Sequence, residues 1–564
     1  MKTSNDLTKL LYSIDRRGYP AYKSTRGSYR FDGYLLSIDH VQGDPFASPS
    51  AVSVTVRGTD AGFPKDFYDT RWRRIALQDH LLRRFGTLSA DASRRTGSGK
   101  SGLTTVSRPG QEILERSACH IAADGSVTVR FHIGFPAHGR TIDGKALISI
   151  LSNDLPQIVH QSIFCSALDP AALRQVLELA DDQQYIRGQL ASRGLVAFLA
   201  DGSILPRESG VSQRPMRGAV PFQSPASLSV TLDLPHRGPV TGMGIPRGIT
   251  LIVGGGFHGK STLLQALERG VYPHIPGDGR ELVITDERAV KLRAEDGRSI
   301  VRTDISMFIG DLPGGKDTSC FSTENASGST SQAAATVEAL EAGASALLID
   351  EDTSATNFMV RDELMQQVIT AGQEPITPYI DRARELYERF GVSTVLAAGS
   401  SGAWFTPADV IIQMDTYVPY DITARAKEAA AGFGSQVRTL HPASRLPERI
   451  PLADSSFRGG RLKVRSSGTD GFSIDHETTD LRCLEQLTDS EQTASLARLL
   501  VYAEKHLMDG TRTFPQILDA LEDLLTKKGP EGAIDSGYLT SGLAGVRRQD
   551  ILAAFARCRK LRIR

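Results

Sequence analysis

The run Gly254, Gly255, Gly256, Phe257, His258, Gly259, Lys260, Ser261 fits the spacing G-x-x-x-x-G-K-[ST] at every fixed position. Loops of this kind turn successive backbone N–H groups toward an anion at the positive end of the helix that follows. Lys260 is then placed to reach the β and γ phosphates of a nucleotide, the Ser261 hydroxyl to bind Mg²⁺, and Thr262 to open the helix beside them. A second group is Ala346 to Glu351, an apolar run ending in two adjacent carboxylates. Asp350 is expected to hold Mg²⁺ through water, and Glu351 to orient the attacking water and take its proton. A third is Asn325-Ala-Ser-Gly-Ser-Thr330, which precedes a helix expected over about 331–340. Small hydroxyl residues at a helix N-terminus cap it and favour a phosphate there, so Ser327, Gly328 and Ser329 join the nucleotide-binding candidates.

These groups need a frame that aims them at one place. Short apolar runs at Ile249 to Val253, Ala346 to Ile349 and Thr394 to Ala398 alternate with helical stretches such as Thr262 to Glu268, the pattern of an α/β fold with a parallel or mixed sheet. This core is expected over 241–430. Ahead of it, 206–240 forms a linker and lead-in, rich in Pro, Gly and Ser between Pro206 and Ser227. Residues 1–205 read as an α+β domain: Val127, Val129, Phe131, Ile133 and Phe135 alternate with polar residues as in a half-buried strand, and Asp124-Gly125 marks a hairpin turn. Residues 431–564 are expected to be mainly helical, with a helix over Glu491 to Leu507, a Thr488–Glu491 capping box and a stop at Gly510.

The 65 basic and 65 acidic residues cancel, so no molecule-wide field draws the chain onto nucleic acid or anionic lipid. Basic surface must be local. One cluster is Arg547, Arg548, Arg557, Arg559, Lys560, Arg562 and Arg564; another is Arg71, Arg73, Arg74, Arg83 and Arg84. The five cysteines are scattered without the close pairs of a zinc ribbon or a disulfide framework, which fits a reducing cytoplasm. No apolar run approaches the roughly 18 residues of a spanning helix, so no membrane partner is expected. Gly97-Ser-Gly-Lys-Ser-Gly102 imitates the nucleotide loop, but Arg94 stands where the first glycine is required. A polar loop is the favoured reading.

The runs FSTENASGSTSQAA (321–334), LLIDEDTSATNFMVRD (347–362), EPITPYID (374–381), HVQGDPFASPS (40–50) and PGQEILER (109–116) resemble the family called "predicted ATPase of the ABC class". The likeness extends from near Tyr19 to SGLAGVRRQDI (541–551). It implies an ABC-type P-loop core between N- and C-terminal domains, working as a homodimer with two ATP molecules at the interface. Ser327 and Gly328 would contact the γ-phosphate held by the partner. Asp350 to Asn357 is similar to the superfamily's D-E-P-T-S-A-L-D run, with Asp352 for the proline and Asn357 for the last aspartate. The usual glutamine between the P-loop helix and the signature is missing, and Asp304 is the replacement candidate as a metal ligand. The usual switch histidine is also missing, leaving Ser400 to act at the catalytic centre. The resemblance therefore implies a cytoplasmic ATP hydrolase using Mg²⁺, with RNA or DNA as the first partner to test. A nucleotide-gated scaffold with little turnover is the alternative. The short interval from Asp304 to Ser327 disfavours a transporter subunit.

Overall fold

Runs such as Ile249–Val253, Ala346–Asp350 and Ser393–Ala397 are too short and too uniformly apolar for surface helices, and they become the buried middle of a sheet. The computed structural model describes residues 2–310, 312, 314–361, 374–432, 446, 448–457, 462–534 and 541–564. Two compact units divide the chain, one made of 1–181 and 528–545, the other of 182–527 and 546–564.

The first unit is built on an antiparallel sheet whose centre is Leu35–His40, Ser50–Val56 and Val127–Ile133. Val127–Ile133 alternates buried and half-buried residues as its sequence period requires. It follows a turn in which Gly125 sits at φ +82°, where a Cβ would lie 2.6 Å from the Tyr68 hydroxyl. The helix Arg71–Ala92 covers this sheet, with Phe85 and Phe131 ring centroids 5.0 Å apart. Three of its five arginines form ion pairs, Arg71 with Glu115, Arg73 with Asp181 and Arg83 with Asp79, while Arg84 stays exposed.

The second unit holds a six-stranded sheet in the order Ala289–Leu292, Ala346–Asp350, Ser393–Ala397, Ile249–Val253, Val410–Asp415, Val418–Asp421. All neighbours are parallel except the last pair. Beside it lies an antiparallel sheet of Ser229–Leu234, Gly238–Pro246, Leu195–Ala200 and Val283–Thr285. The helices Lys260–Arg269, Gly328–Glu341 and Tyr379–Phe390 complete the α/β core, so the fold is the expected one.

The C-terminal part contributes the helices Ser490–His506, Phe514–Lys528 and Arg548–Ala556. It also carries a three-stranded antiparallel sheet, Val464–Ser467, Gly471–Ile474 and Glu477–Asp480. The first helix is capped by Asp489, which accepts from the Glu491 N–H at 2.8 Å, and not by Thr488. Thr488 instead donates its N–H to Gln492 at 2.8 Å. Two acceptors one residue apart compete for the same first turn, and the carboxylate takes the N-cap place.

Arg449 joins this part of the chain to the core. Its guanidinium is buried, donates to Glu341 Oε2 from Nε and Nη2 at 2.9 and 2.7 Å and to Thr303 Oγ1 at 2.7 Å, and lies over the Phe514 ring. Removing one partner of such a pair leaves an uncompensated buried charge, a loss of about 3–5 kcal/mol. Arg449→Ala is expected to lower the melting temperature markedly, and Arg449→Lys, which keeps the charge but loses the fork, by less. A melt of the alanine variant matching wild type would refute this role.

Candidate functional site

Three neighbouring strands run in parallel register, with Ile252 opposite Ala397 and Asp350 also opposite Ala397. Their carboxyl ends therefore open on one edge, where α/β sheets hold their ligands. The loop after Ile249–Val253 turns through Gly254 at φ +146° and Gly259 at φ +101°. A Cβ at Gly254 would lie 2.4 Å from the Met414 carbonyl oxygen, and one at Gly259 would lie 2.8 Å from the Tyr417 ring. Only glycine fits these two places. His258 pins the loop to the adjacent hairpin: its carbonyl accepts from the Tyr417 N–H at 3.0 Å, and its Nδ1 stands 2.8 Å from Asp415. Phe257, at φ +64°, is fully exposed.

Among the described residues, the amide N–H groups of Gly255, Gly256, Phe257 and His258 have no internal acceptor. Such unspent donors at the start of the helix Lys260–Arg269 are what an anion needs. Lys260 Nζ bridges the Gly254 and Gly255 carbonyls at 2.7 and 3.0 Å, across the mouth of the loop. The imitation loop at 97–102 differs on this point. Four of its amides are already used, Ser98 on Ala137, Lys100 on Pro45, Ser101 on Ser98 and Gly102 on Gly134, so it offers no run of successive free donors.

Glu351 follows the strand Ala346–Asp350 and is gripped by the loop after its neighbour Ser393–Ala397. Its Oε2 accepts from the Gly399 and Ser400 N–H groups at 2.7 and 3.1 Å, and its Oε1 accepts from the Ser400 hydroxyl at 2.8 Å. A Cβ built on Gly399 would lie 3.8 Å from Lys260 Nζ, so the carboxylate, the Gly399-Ser400 loop and the lysine meet in one place. Ser261 and Asp350 line one cavity of about 360 Å³, with Gln265, Glu268, Lys291 and Arg482 among its walls. Thr262 sits half-buried behind Ser261 in the first helical turn. Asp304 is elsewhere: its Oδ1 accepts from the Ser306 N–H and hydroxyl, and it does not line this cavity.

Ser327 caps the helix Gly328–Glu341, and its Oγ lies 2.9 Å from the Thr330 hydroxyl and 3.4 Å from that of Ser329. Ser327 is exposed, with Gly328 and Ser329 half-exposed beside it. The helix begins three residues earlier than its apolar pattern indicates, because the cap recruits Gly328 to Thr330 into the first turn.

Three models of known families match consecutive stretches of this chain. They are the N-terminal domain of ATPases of the ABC class over 4–166, the ABC ATPase P-loop domain over 169–447, and the MRB1590 C-terminal domain over 463–564. The chain belongs to the ABC class of ATPases. It is also similar to an uncharacterized protein of Methanocaldococcus jannaschii, MJ1628, at 31% identity over 265 residues. That match covers 44% of this chain and spans 58% of the relative. Among the described residues no helix is long and apolar enough to cross a membrane.

Within this ABC-class core, Gln332 is a connection that the sequence reading passed over. Buried in the signature helix, it accepts from the Ala355 N–H at 2.9 Å and donates to the Ser354 hydroxyl at 3.0 Å, while Ser354 donates to the Asp350 carbonyl at 2.8 Å. The loop that carries Glu351 is thereby tied to the helix that carries Ser327. A lone amide among small apolar residues was its available signal.

Glu268, two turns beyond Ser261, is the other such residue. Burial pushes its carboxyl up to about 7 although Arg269 and Lys291 pull the other way. A buried acid with a raised value holds its proton in the folded state and loses it in the unfolded one. Its contribution therefore destabilises progressively as pH rises from the ordinary 4.5 toward 7, reaching a few kcal/mol above that. Glu268→Gln is expected to flatten the fall in melting temperature between about pH 5 and 8 and to melt higher than wild type at pH 8. Parallel pH profiles for the two proteins would refute it.

Proposed function

We propose that this protein is a Mg²⁺-dependent ATP hydrolase working as a homodimer, with each ATP shared between the P-loop of one chain and the signature helix of the other. The observation that carries the reading is the convergence of Lys260, Glu351 and Gly399-Ser400 at the carboxyl ends of three neighbouring strands. The amides from Gly255 to His258 bind phosphate oxygens, and Lys260 leaves its two carbonyls for the β and γ phosphates. The residues fit the metal: Ser261 and Asp350 line one cavity and would hold Mg²⁺, which supplies positive charge to the phosphate oxygens. Glu351 accepts the proton of the attacking water, and Ser400 positions its carboxylate. The nucleotide loop occurs once in the sequence, as does the signature, so two composite sites require two chains.

A second reading, a nucleotide-gated scaffold with little turnover, is favoured by the engagement of both Glu351 oxygens. Turnover by the purified protein separates the two. RNA or DNA is the proposed partner, drawn by basic residues of the C-terminal end, and the cytoplasm is the proposed location. Much of that basic cluster is already neutralised: Arg547 pairs with Asp550, Arg548 with Asp519 and Glu522, and Arg557 with Glu295. Arg559, Arg562 and Arg564 remain exposed.

Glu351→Gln is expected to keep ATP binding while slowing hydrolysis by about 10²-fold or more, the usual worth of a general base. Ser400→Ala should lower kcat with little change in KM, as befits a residue acting through Glu351. Wild-type turnover by the glutamine variant would remove Glu351 from the mechanism.

The sandwich predicts that ATP raises the dimer fraction of Glu351→Gln, and that Ser327→Arg abolishes both dimerisation and turnover while sparing ATP binding. Mixing Ser327→Arg with Lys260→Ala chains should restore part of the activity, since one composite site in the heterodimer then carries neither lesion. Full activity from protein held monomeric would overturn the arrangement.

A further inference from the structure

A second cleft, of about 520 Å³, opens in the same unit between the loop Arg293–Ser299 and C-terminal residues that include Asp480, Arg482, Arg557 and Arg559. Five arginines line it, Arg293, Arg298, Arg482, Arg557 and Arg559, against the carboxylates of Glu295, Asp296 and Asp480. Two of those acids are matched, Glu295 with Arg557 and Asp480 with Arg482. Asp296 is exposed at the rim. Arg298 is the unusual member. Its side chain is 1% exposed and pairs through Nη2 with Glu338, yet its Nε and Nη1 have no acceptor among the described residues. These nitrogens, like Glu338 Oε1, are closed off from solvent, so Arg298 backs the cleft while the accessible guanidinium donors for a phosphate oxygen are those of Arg482 and Arg559. Arg559 is exposed and forms no ion pair among the described residues. The volume suits one nucleotide of a strand.

The cleft loop is stitched to both halves of the nucleotide machinery. Ala294 N–H donates to the Thr353 carbonyl at 3.0 Å, just beyond Glu351. Glu295 N–H donates to the Ser331 hydroxyl at 2.9 Å in the signature helix. Gly297 N–H donates to the Ala326 carbonyl, and Ala326 N–H to the Arg298 carbonyl, both at 2.9 Å, directly ahead of Ser327. An anion seated in the cleft therefore lies beside the loop whose backbone is bonded to the residues around Ser327.

We propose that this arginine cleft is where a single-stranded nucleic acid docks a backbone phosphate, and that its occupancy promotes ATP hydrolysis by ordering the loop ahead of Ser327. The inference rests on the nucleic-acid reading above and assigns it a place. The shared chemistry is a phosphate group, which a strand or a free phosphate ion can supply.

The test uses full-length protein, fluorescent 20-nucleotide RNA and DNA of mixed sequence, and inorganic phosphate as competitor. The variants are Arg559→Glu and Arg298→Gln, with the exposed Arg512→Glu as a charge control; the surface change at Arg559 keeps the test decisive if Arg298→Gln fails to fold. Expected results are about tenfold weaker binding for Arg559→Glu, with a slope of log affinity against log salt shallower by about 0.7 per lost contact, and loss of strand-stimulated turnover. Arg512→Glu should behave as wild type. If wild type binds a strand and Arg559→Glu binds it with unchanged affinity and slope, the cleft is not the docking place, although nucleic acid remains the partner. If wild type binds neither strand, the partner reading and the cleft assignment both fall. If only inorganic phosphate is held, with protection lost in the variants, the cleft binds an ion and the strand assignment is overturned.

Discussion

The parallel register of Ala346–Asp350, Ser393–Ala397 and Ile249–Val253 is the constraint on which the rest depends. Because the three strands point the same way, each ends at the same edge and delivers a different group there: the Glu351 carboxylate, the Gly399-Ser400 loop and the glycine-rich loop with Lys260. Parallel strands cannot be joined by tight turns, so each connection must cross over and is long enough to carry an element of its own. The crossover between Ala289–Leu292 and Ala346–Asp350 includes the signature helix. The topology that builds the proposed phosphate site therefore also supplies the segment proposed to complete the site of a second chain.

Polar groups buried inside the unit link these elements. Gln332 satisfies backbone and hydroxyl groups of the loop after Glu351, and Arg449 crosses from the C-terminal part to Glu341 at the far end of the same helix. Buried amides and ion pairs contribute little net stability over apolar packing but are intolerant of displacement, since any shift leaves a donor or acceptor unmatched. Here they hold the signature helix in register with the Asp350 strand at one end and with the C-terminal part at the other.

Charge in this chain is mostly spent internally. Seven basic residues between Arg547 and Arg564 read as a tail able to attract phosphate, yet Arg547, Arg548 and Arg557 face inward onto carboxylates remote in sequence or a turn away. The helix Arg71–Ala92 behaves likewise. What remains basic is a smaller set, and its most structured part is the cleft around Arg298 rather than the terminus itself.

The sequence by itself determined the α/β core, the strand after which Gly254 to Ser261 turns, and the carboxylate pair Asp350 and Glu351. These follow from glycine spacing, from uniformly apolar runs and from acids placed at a strand end, all of which are local properties. Only the tertiary structure decided that Ser400 binds Glu351 directly, that Asp304 turns back on Ser306, that Asp489 displaces Thr488 as the helix cap, and that the loop at 97–102 has spent most of its amides. Each depends on which partner a polar group finds, often dozens of residues away. A one-dimensional pattern records that a donor exists but not whether it has already been used.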